Sequence, residues 1–211
     1  MKDITIFDNF INNEELEEAR HFIHSPGTIC KQIHNGHKVT EWFFNEGDNA
    51  DKKFIIENET KIEGFNTTIF NPVGGGMDDA TPSAKKFITK IQNKIEKCIN
   101  NKLLLWRVYL NRQVIGQDVV LHTDDTRPNF YTLLIYIGDI TPENYDKTGG
   151  DLEFKNKENT RIEPFTKRAV LFKGCIPHQA YAPLVPGITR ISFAFKFLCM
   201  SEKIPFIVNY S

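Results

Sequence analysis

The chain has 211 residues, 40 % of them hydrophobic, which is enough for one sizeable core, and it reads as a single domain spanning 1-211. Its 26 basic and 27 acidic residues are interspersed and leave a formal charge of -1, so there is no electrostatic footprint for a polyanion and no stable nucleic-acid partner is expected. No window approaches the roughly 18 apolar residues of a membrane span, and Met1 to Asp8 lacks the apolar stretch of a secretory signal, so the expected location is cytoplasmic, away from any membrane.

The first expected elements are a short strand, Ile4 to Phe7, and a helix from about Glu14 to His24. Asn12 or Asn13 caps that helix, Leu16, Ala19, Arg20 and Ile23 fall at helical spacing, and acidic residues crowd its first turn as the helix dipole prefers. From Thr28 to Gly76 the chain is polar and Asn-rich, with short apolar pieces at Trp42-Phe43-Phe44, Phe54-Ile55-Ile56 and Thr67-Thr68-Ile69-Phe70 that suit short strands or ordered loops. Gly74-Gly75-Gly76 precedes acidic residues and lacks phosphate-loop spacing, so it reads as a connector. A second helix follows from Thr81 or Pro82 to Asn100, with Phe87, Ile88, Ile91, Ile95, Cys98 and Ile99 as its apolar stripe.

From Leu103 the pattern changes to period two. Candidate strands are Leu103 to Asn111, Val119 to Thr123, Tyr131 to Ile137, Leu152 to Lys155, Thr160 to Glu163, Ala169 to Lys173 and Arg190 to Phe197. Many short strands at such spacing predict an α+β, mainly β chain: a double-stranded β-helix (jelly-roll) core over 103-200, with the N-terminal helices of a support region, 1-102, packed on one sheet. Cys30, Cys98, Cys175 and Cys199 are far apart with no CxxC pair, so reduced thiols are expected; Cys175 reads as an apolar filler rather than a ligand.

The chemistry concentrates in His122-Thr123-Asp124, His178 and Arg190. On an extended segment residues 122 and 124 point the same way, so an imidazole and a carboxylate can share a metal, and His178 would complete the two-histidine, one-carboxylate set that suits non-heme Fe(II). Both ligand segments follow or flank a turn, at the mouth of a sandwich. A core histidine bonded to a carbonyl is the competing reading of His178. Arg190 opens an otherwise apolar strand on which Arg190, Ser192 and Ala194 share a face. A guanidinium facing inward requires a partner, either a bound dicarboxylate or an internal Asp or Glu.

The ordered set Tyr109-Leu110-Asn111, Gly116-Gln117-Asp118, His122-Thr123-Asp124-Asp125, Thr132 to Ile137, Gly149 to Phe154, Val170-Leu171-Phe172, Ile176-Pro177-His178 and Arg190 resembles the Fe(II)- and 2-oxoglutarate-dependent dioxygenases, specifically the prolyl 4-hydroxylase-like branch with its short phage and giant-virus members. Asp8-Asn9-Phe10-Ile11 followed by a helix is similar to the opening of that family. The resemblance implies Fe(II) on His122, Asp124 and His178, and 2-oxoglutarate with its distal carboxylate on Arg190. Tyr136, Thr132, Asn111 and Ser192 are further cofactor-binding candidates, and ascorbate is an auxiliary expectation. It implies hydroxylation of a prolyl or other residue in a peptide or protein by dioxygen, with release of succinate and carbon dioxide, in the host cytoplasm if the source is viral. A free amino acid or other small molecule is the alternative substrate, and a non-catalytic jelly-roll binding protein the alternative to an enzyme. Asp125, Arg127 and Gln113 are expected substrate contacts, with the loop Asp139 to Gly150 beside the mouth. The interval from His178 to Arg190 is longer than in many prolyl 4-hydroxylases, and Pro183, Pro186 and Gly187 absorb the extra length.

Overall fold

Two faces of one antiparallel sheet, each buried against something different, organise the chain. The structure, a computed structural model, describes residues 3–24, 33–34, 37–38, 66–70 and 82–200. Its elements in chain order are β1 (Ile4–Phe7), α1 (Asn13–His24), β2 (Ile33–His34), β3 (His37–Lys38), β4 (Asn66–Phe70), α2 (Pro82–Ile99), β5 (Leu103–Gln113), β6 (Phe130–Tyr136), a short α3 (Tyr145–Thr148), β7 (Leu152–Phe154), β8 (Arg161–Ile162), β9 (Ala169–Lys173), β10 (His178–Ala180) and β11 (Arg190–Cys199). The major sheet has the order β1-β9-β6-β11-β5-β4 and the minor sheet the order β10-β7-β8, with every pairing antiparallel. This is the expected mainly β jelly roll.

Period two decides which side chains face which layer. On β6 and β11, Tyr131, Leu133, Ile135, Phe193, Phe195 and Phe197 join Phe22 of α1 and Phe87, Ile88, Ile91 and Ile95 of α2 in one core. The intervening residues Leu134, Tyr136 and Ala194 turn the other way and meet Leu152, Phe154, Ile162 and Ala180 of the minor sheet and the residues leading from it. A strand covered on both faces reads as a continuous apolar run rather than an alternating one, and every residue of β6 is buried.

The first helix starts where a capping box dictates: the Asn12 side chain accepts the Glu15 N–H at 2.8 Å, and the Glu15 carboxylate accepts the Asn12 N–H at 2.9 Å. Glu15 is therefore buried together with Leu16, Ala19 and Phe22. Phe22 takes a core place that sequence spacing did not assign to it. Arg20 reaches across to donate to the carbonyls of Ile137 and Gly138, both at 3.1 Å, pinning the helix to the end of β6. Gly138 lies so close to the start of β11 that a Cβ would come within 2.4 Å of the Thr189 carbonyl oxygen.

The expected segment Val119 to Thr123 is not a strand. It touches β10 only through the Val119 N–H to Ala180 and a reciprocal pair between His122 and His178, and Val120 and Leu121 are exposed. Conversely His178–Ala180, not among the candidate strands, is a strand. Cys98, placed in the α2 stripe, is exposed because the stripe turns instead through Glu96, whose carboxylate accepts the Leu103 N–H at 3.0 Å and the Lys102 ammonium at 2.7 Å. Thr67 to Phe70 falls in β4. Cys30, the pieces at 42–44 and 54–56, and the Gly74–Gly76 connector lie outside the described residues.

Phe193 packs its ring 5.2 Å from that of Phe87 and 6.2 Å from that of Phe22, joining both helices to the sheet. Phe193→Ala should cost about 3–5 kcal/mol in urea unfolding, more than any surface substitution. On the minor sheet, Lys155, Tyr181 and Arg161 surround Glu153 and hold its carboxyl at about 2. A depressed carboxyl contributes stability that is present above its ordinary value of 4.5 and lost as pH falls toward 2, so a plot of Tm against pH should fall across that window and flatten in Glu153→Gln.

Candidate metal centre

Three residues that could share a cation meet on the cleft side of the major sheet: His122, Asp124 and His178, each offering one ligand atom within 4.8 Å of the others. The local chain explains the aim of each. His178 begins β10, and the carbonyl of Ile176, two residues earlier, lies 2.8 Å from its Nδ1; the carbonyl of Val120 lies 2.9 Å from His122 Nδ1 in the same arrangement. An imidazole nitrogen facing a carbonyl must carry the proton, so in both rings Nε2 is left as the lone-pair atom. Those Nε2 atoms lie 3.6 Å from Asp124 Oδ1 and 3.6 Å from Asp124 Oδ2 respectively. The bridge between His122 and His178 brings their rings to 4.5 Å between centroids, while Phe172 and Phe154 wall the His178 ring.

The electrostatics of His178 and Asp124 match this aim. Burial pushes the His178 imidazole down to about 4, outweighing Asp124, so it is neutral over the physiological range. Burial opposes ionisation of Asp124, but the Lys196 ammonium, with His122 and His178, outweighs it and holds the carboxyl well below the usual range. His122, more exposed, is raised by its contact with Asp124. A metal requires neutral imidazoles and an ionised carboxylate: His178 and Asp124 are held in those states, whereas the contact with Asp124 favours a proton on His122 that a cation would displace.

Lys196 was not singled out by sequence reading. It lies on β11 with the same parity as Arg190, Ser192 and Ala194, a lone cation between Phe195 and Phe197, and that placement in an apolar strand was the available signal. Its ammonium contacts Asp124 Oδ2 and donates to Thr132 Oγ1 at 3.0 Å; Thr132 donates in turn to the same Oδ2 at 2.5 Å. Thr132, expected among the cofactor contacts, thus belongs to the Asp124 end of the cleft.

Arg190 occupies the other end of the same face and is 2 % exposed. Its Nε donates to the Gly150 carbonyl at 2.9 Å, its Nη1 to Gln113 Oε1 at 2.6 Å and its Nη2 to the Tyr136 hydroxyl at 3.3 Å. All three acceptors are neutral. Among the described residues no carboxylate contacts this guanidinium, so the internal Asp or Glu partner left open by the sequence is not found there. Ser192, next on the face, has a buried hydroxyl without a hydrogen-bond partner among the described residues, opposite Asn111 of β5. The cleft between the two ends is lined by Tyr109, Asn111, Leu134 and Leu152 as well as the ligand candidates.

The residues assigned to substrate contact separate. Gln113 is 1 % exposed and holds Arg190, while its amide nitrogen donates to the Gln117 carbonyl, so it is a support of the cleft floor rather than a group at the mouth. Asp125 and Arg127 stay at the rim as a two-pronged ion pair, 2.8 and 2.7 Å, with the guanidinium 5.0 Å from the ring centres of both Trp106 and Phe130. The loop Asp139 to Gly150 sits at the Arg190 end, and the cavities at the centre are lined by other segments. Beside His122 and Asp124 a second, outer cavity of about 360 Å³ opens between Trp106, Tyr109, Val120 and Phe130.

No family model matches the chain, and no curated protein matches it. Solved structures do. A Pseudomonas putida prolyl-4-hydroxylase superposes with a TM-score of 0.53 at 13% identity, covering 93% of this chain and 92% of its own. The viral collagen prolyl hydroxylase of Paramecium Bursaria Chlorella virus-1, solved with 2-oxoglutarate, gives 0.54 at 18% identity, covering 93% and 97%. HygX of Streptomyces hygroscopicus, solved with nickel, 2-oxoglutarate and hygromycin B, gives 0.57 at 10% identity, covering 94% and 84%. The fold is therefore the jelly roll of 2-oxoglutarate oxygenases.

The pair of Asp124 and Lys196 is buried on both sides, 7 % and 8 % exposed. Removing one member leaves the other charge uncompensated, so Asp124→Asn should destabilise the metal-free chain by about 3–5 kcal/mol in urea unfolding.

Proposed function

We propose that this chain is an Fe(II)- and 2-oxoglutarate-dependent dioxygenase that hydroxylates a C–H bond, with a prolyl or other residue of a peptide as substrate and succinate and carbon dioxide as co-products. The observation that carries the reading is the buried Arg190 with only neutral partners among the described residues, on the same face as two lone-pair imidazoles and an ionised carboxylate. A buried guanidinium that lacks a counter-charge is costly, and a dicarboxylate spanning from the metal ligands to Arg190 supplies it. The unpartnered Ser192 hydroxyl offers such a carboxylate one further donor.

The residues fit the group they would hold. His122, Asp124 and His178 are two nitrogen donors and one oxygen donor, the set that selects Fe(II) while leaving open positions. The bound metal supplies the oxidising chemistry, using 2-oxoglutarate and dioxygen. The chain's own contribution is positional. The carbonyls of Val120 and Ile176 fix the two imidazole tautomers, so each ring presents Nε2 without reorganising. Gln113 and Gly150 fix the plane of the Arg190 guanidinium, which leaves donors on Nη1 and Nη2 for a two-pronged grip on a carboxylate. Phe154, Phe172 and Leu134 keep water from the inner wall.

The outer cavity beside His122, with Trp106 and Phe130 at its wall, is the place for the substrate segment that carries the target C–H bond. Likeness to prolyl hydroxylases supports a peptide, and the likeness to HygX, solved with hygromycin B, keeps a small molecule as the second reading.

Purified protein given Fe(II), 2-oxoglutarate and a panel of proline-containing peptides should form succinate and add one oxygen atom to a peptide. His122→Ala and Asp124→Ala should reduce succinate formation at least a thousandfold, toward the background without enzyme. Arg190→Met should raise the KM for 2-oxoglutarate by about a hundredfold, the loss of a buried charge-assisted pair, with the peptide KM changed far less. Succinate formation that survives Asp124→Ala would defeat the proposal.

A further inference from the structure

The mechanism above does not use Lys196, although it is the most deeply placed ammonium at the centre. Two donors converge on one oxygen: Lys196 Nζ and Thr132 Oγ1 both meet Asp124 Oδ2, and Lys196 also bonds the threonine hydroxyl at 3.0 Å. The strand register makes this unavoidable, because Lys196 of β11 is the cross-strand neighbour of Thr132 on β6 and both side chains turn into the cleft. Each carboxylate oxygen faces one imidazole, Oδ1 3.6 Å from His122 Nε2 and Oδ2 3.6 Å from His178 Nε2, but a carboxylate oxygen has two lone-pair sites and those of Oδ2 are taken by the ammonium and the hydroxyl, whereas those of Oδ1 stay open.

We propose that Lys196 is a positioning residue which, with Thr132, holds Asp124 Oδ2 so that the carboxylate meets the metal through Oδ1 alone. The inference rests on reading the centre as an Fe(II) and 2-oxoglutarate site. Its consequence is coordination arithmetic. With His122, Asp124 and His178 each giving one atom, a six-coordinate metal would keep three positions for co-substrate and dioxygen. A carboxylate free to chelate through both oxygens would take one of these. Asp124 cannot do so while Oδ2 is gripped by a cation and a hydroxyl.

The arrangement weakens metal binding. An ammonium one carboxylate away from a dication repels it, and at such short range this repulsion exceeds what one hydrogen bond to Asp124 contributes through orientation. Lys196 therefore exchanges metal affinity for open positions. A lysine with a merely structural role would behave oppositely, since its loss would loosen the site and weaken the metal.

The test is Lys196→Met in the full chain, a substitution that keeps the unbranched stem and removes the charge. By calorimetry and Mn(II) paramagnetic resonance, the variant should bind Mn(II) at least about tenfold more tightly than the unaltered protein. Once loaded with Mn(II), it should bind 2-oxoglutarate about tenfold more weakly. With Co(II), its visible d–d spectrum should differ from that of the unaltered protein, reporting the second carboxylate oxygen. Lys196→Gln retains a donor to Oδ2 without the charge, so it should show the gain in Mn(II) affinity with a Co(II) spectrum like that of the unaltered protein; it carries the test if the methionine variant does not fold.

Unchanged or weaker Mn(II) binding in both variants overturns the inference alone, provided the unaltered protein binds Mn(II) and 2-oxoglutarate. If the unaltered protein binds neither, the functional reading falls and the inference falls with it.

Discussion

Strand β11 is the constraint on which the rest depends, because both of its faces are buried and they are buried against opposite kinds of surroundings. One face, Ile191, Phe193, Phe195 and Phe197, is packed under the two helices. The other, Arg190, Ser192, Ala194 and Lys196, faces the minor sheet and carries two full charges through a low-dielectric interior. A one-residue slip would put those charges among the phenylalanines, which no hydrophobic gain could offset. The functional cleft is thus bound up with the register of the sheet: whatever keeps the aromatic face seated keeps the cations aimed.

The two cations lie at opposite ends of one face and are treated differently. Lys196 meets a chain carboxylate, Asp124, and is neutralised locally. Arg190 meets a carbonyl, an amide oxygen and a hydroxyl, which orient it without cancelling its charge. Orientation without neutralisation is what a binding residue needs, since a bound carboxylate then supplies the missing charge. Orientation with neutralisation is what a residue acting on a neighbour needs. The same sheet, with the same spacing, provides both.

Irregular structure supplies one of the two histidines. His122 lies on a segment too poorly paired to count as a strand, yet its backbone exchanges two hydrogen bonds with His178, and this single bridge sets the two rings side by side. The carbonyl two residues before each histidine then settles its tautomer. A regular strand would have spent those carbonyls on a ladder partner. The departure from regularity at 119–123 is therefore part of how the centre is made.

Much of this was legible in the chain itself. Period-two runs from Leu103 onward, the helix cap at Asn12 or Asn13, and the spacing of His122, Asp124, His178 and Arg190 are local or ordered patterns, and local patterns report secondary structure and residue type directly. Lys196 left a signal in its parity with Arg190 on an apolar strand, but its partner Asp124 was not legible, because that contact depends on the layer covering the face. Gln113 and Thr132 line the cleft as expected, but their immediate partners were not legible, since each depends on which residue lies across the sheet, Arg190 for one and Lys196 for the other. Sequence alone thus determined the donor types and their order along the chain. Only the tertiary structure decided which oxygen of Asp124 is free and which cation lacks a counter-charge among the described residues, because those are properties of contacts between segments more than 60 residues apart.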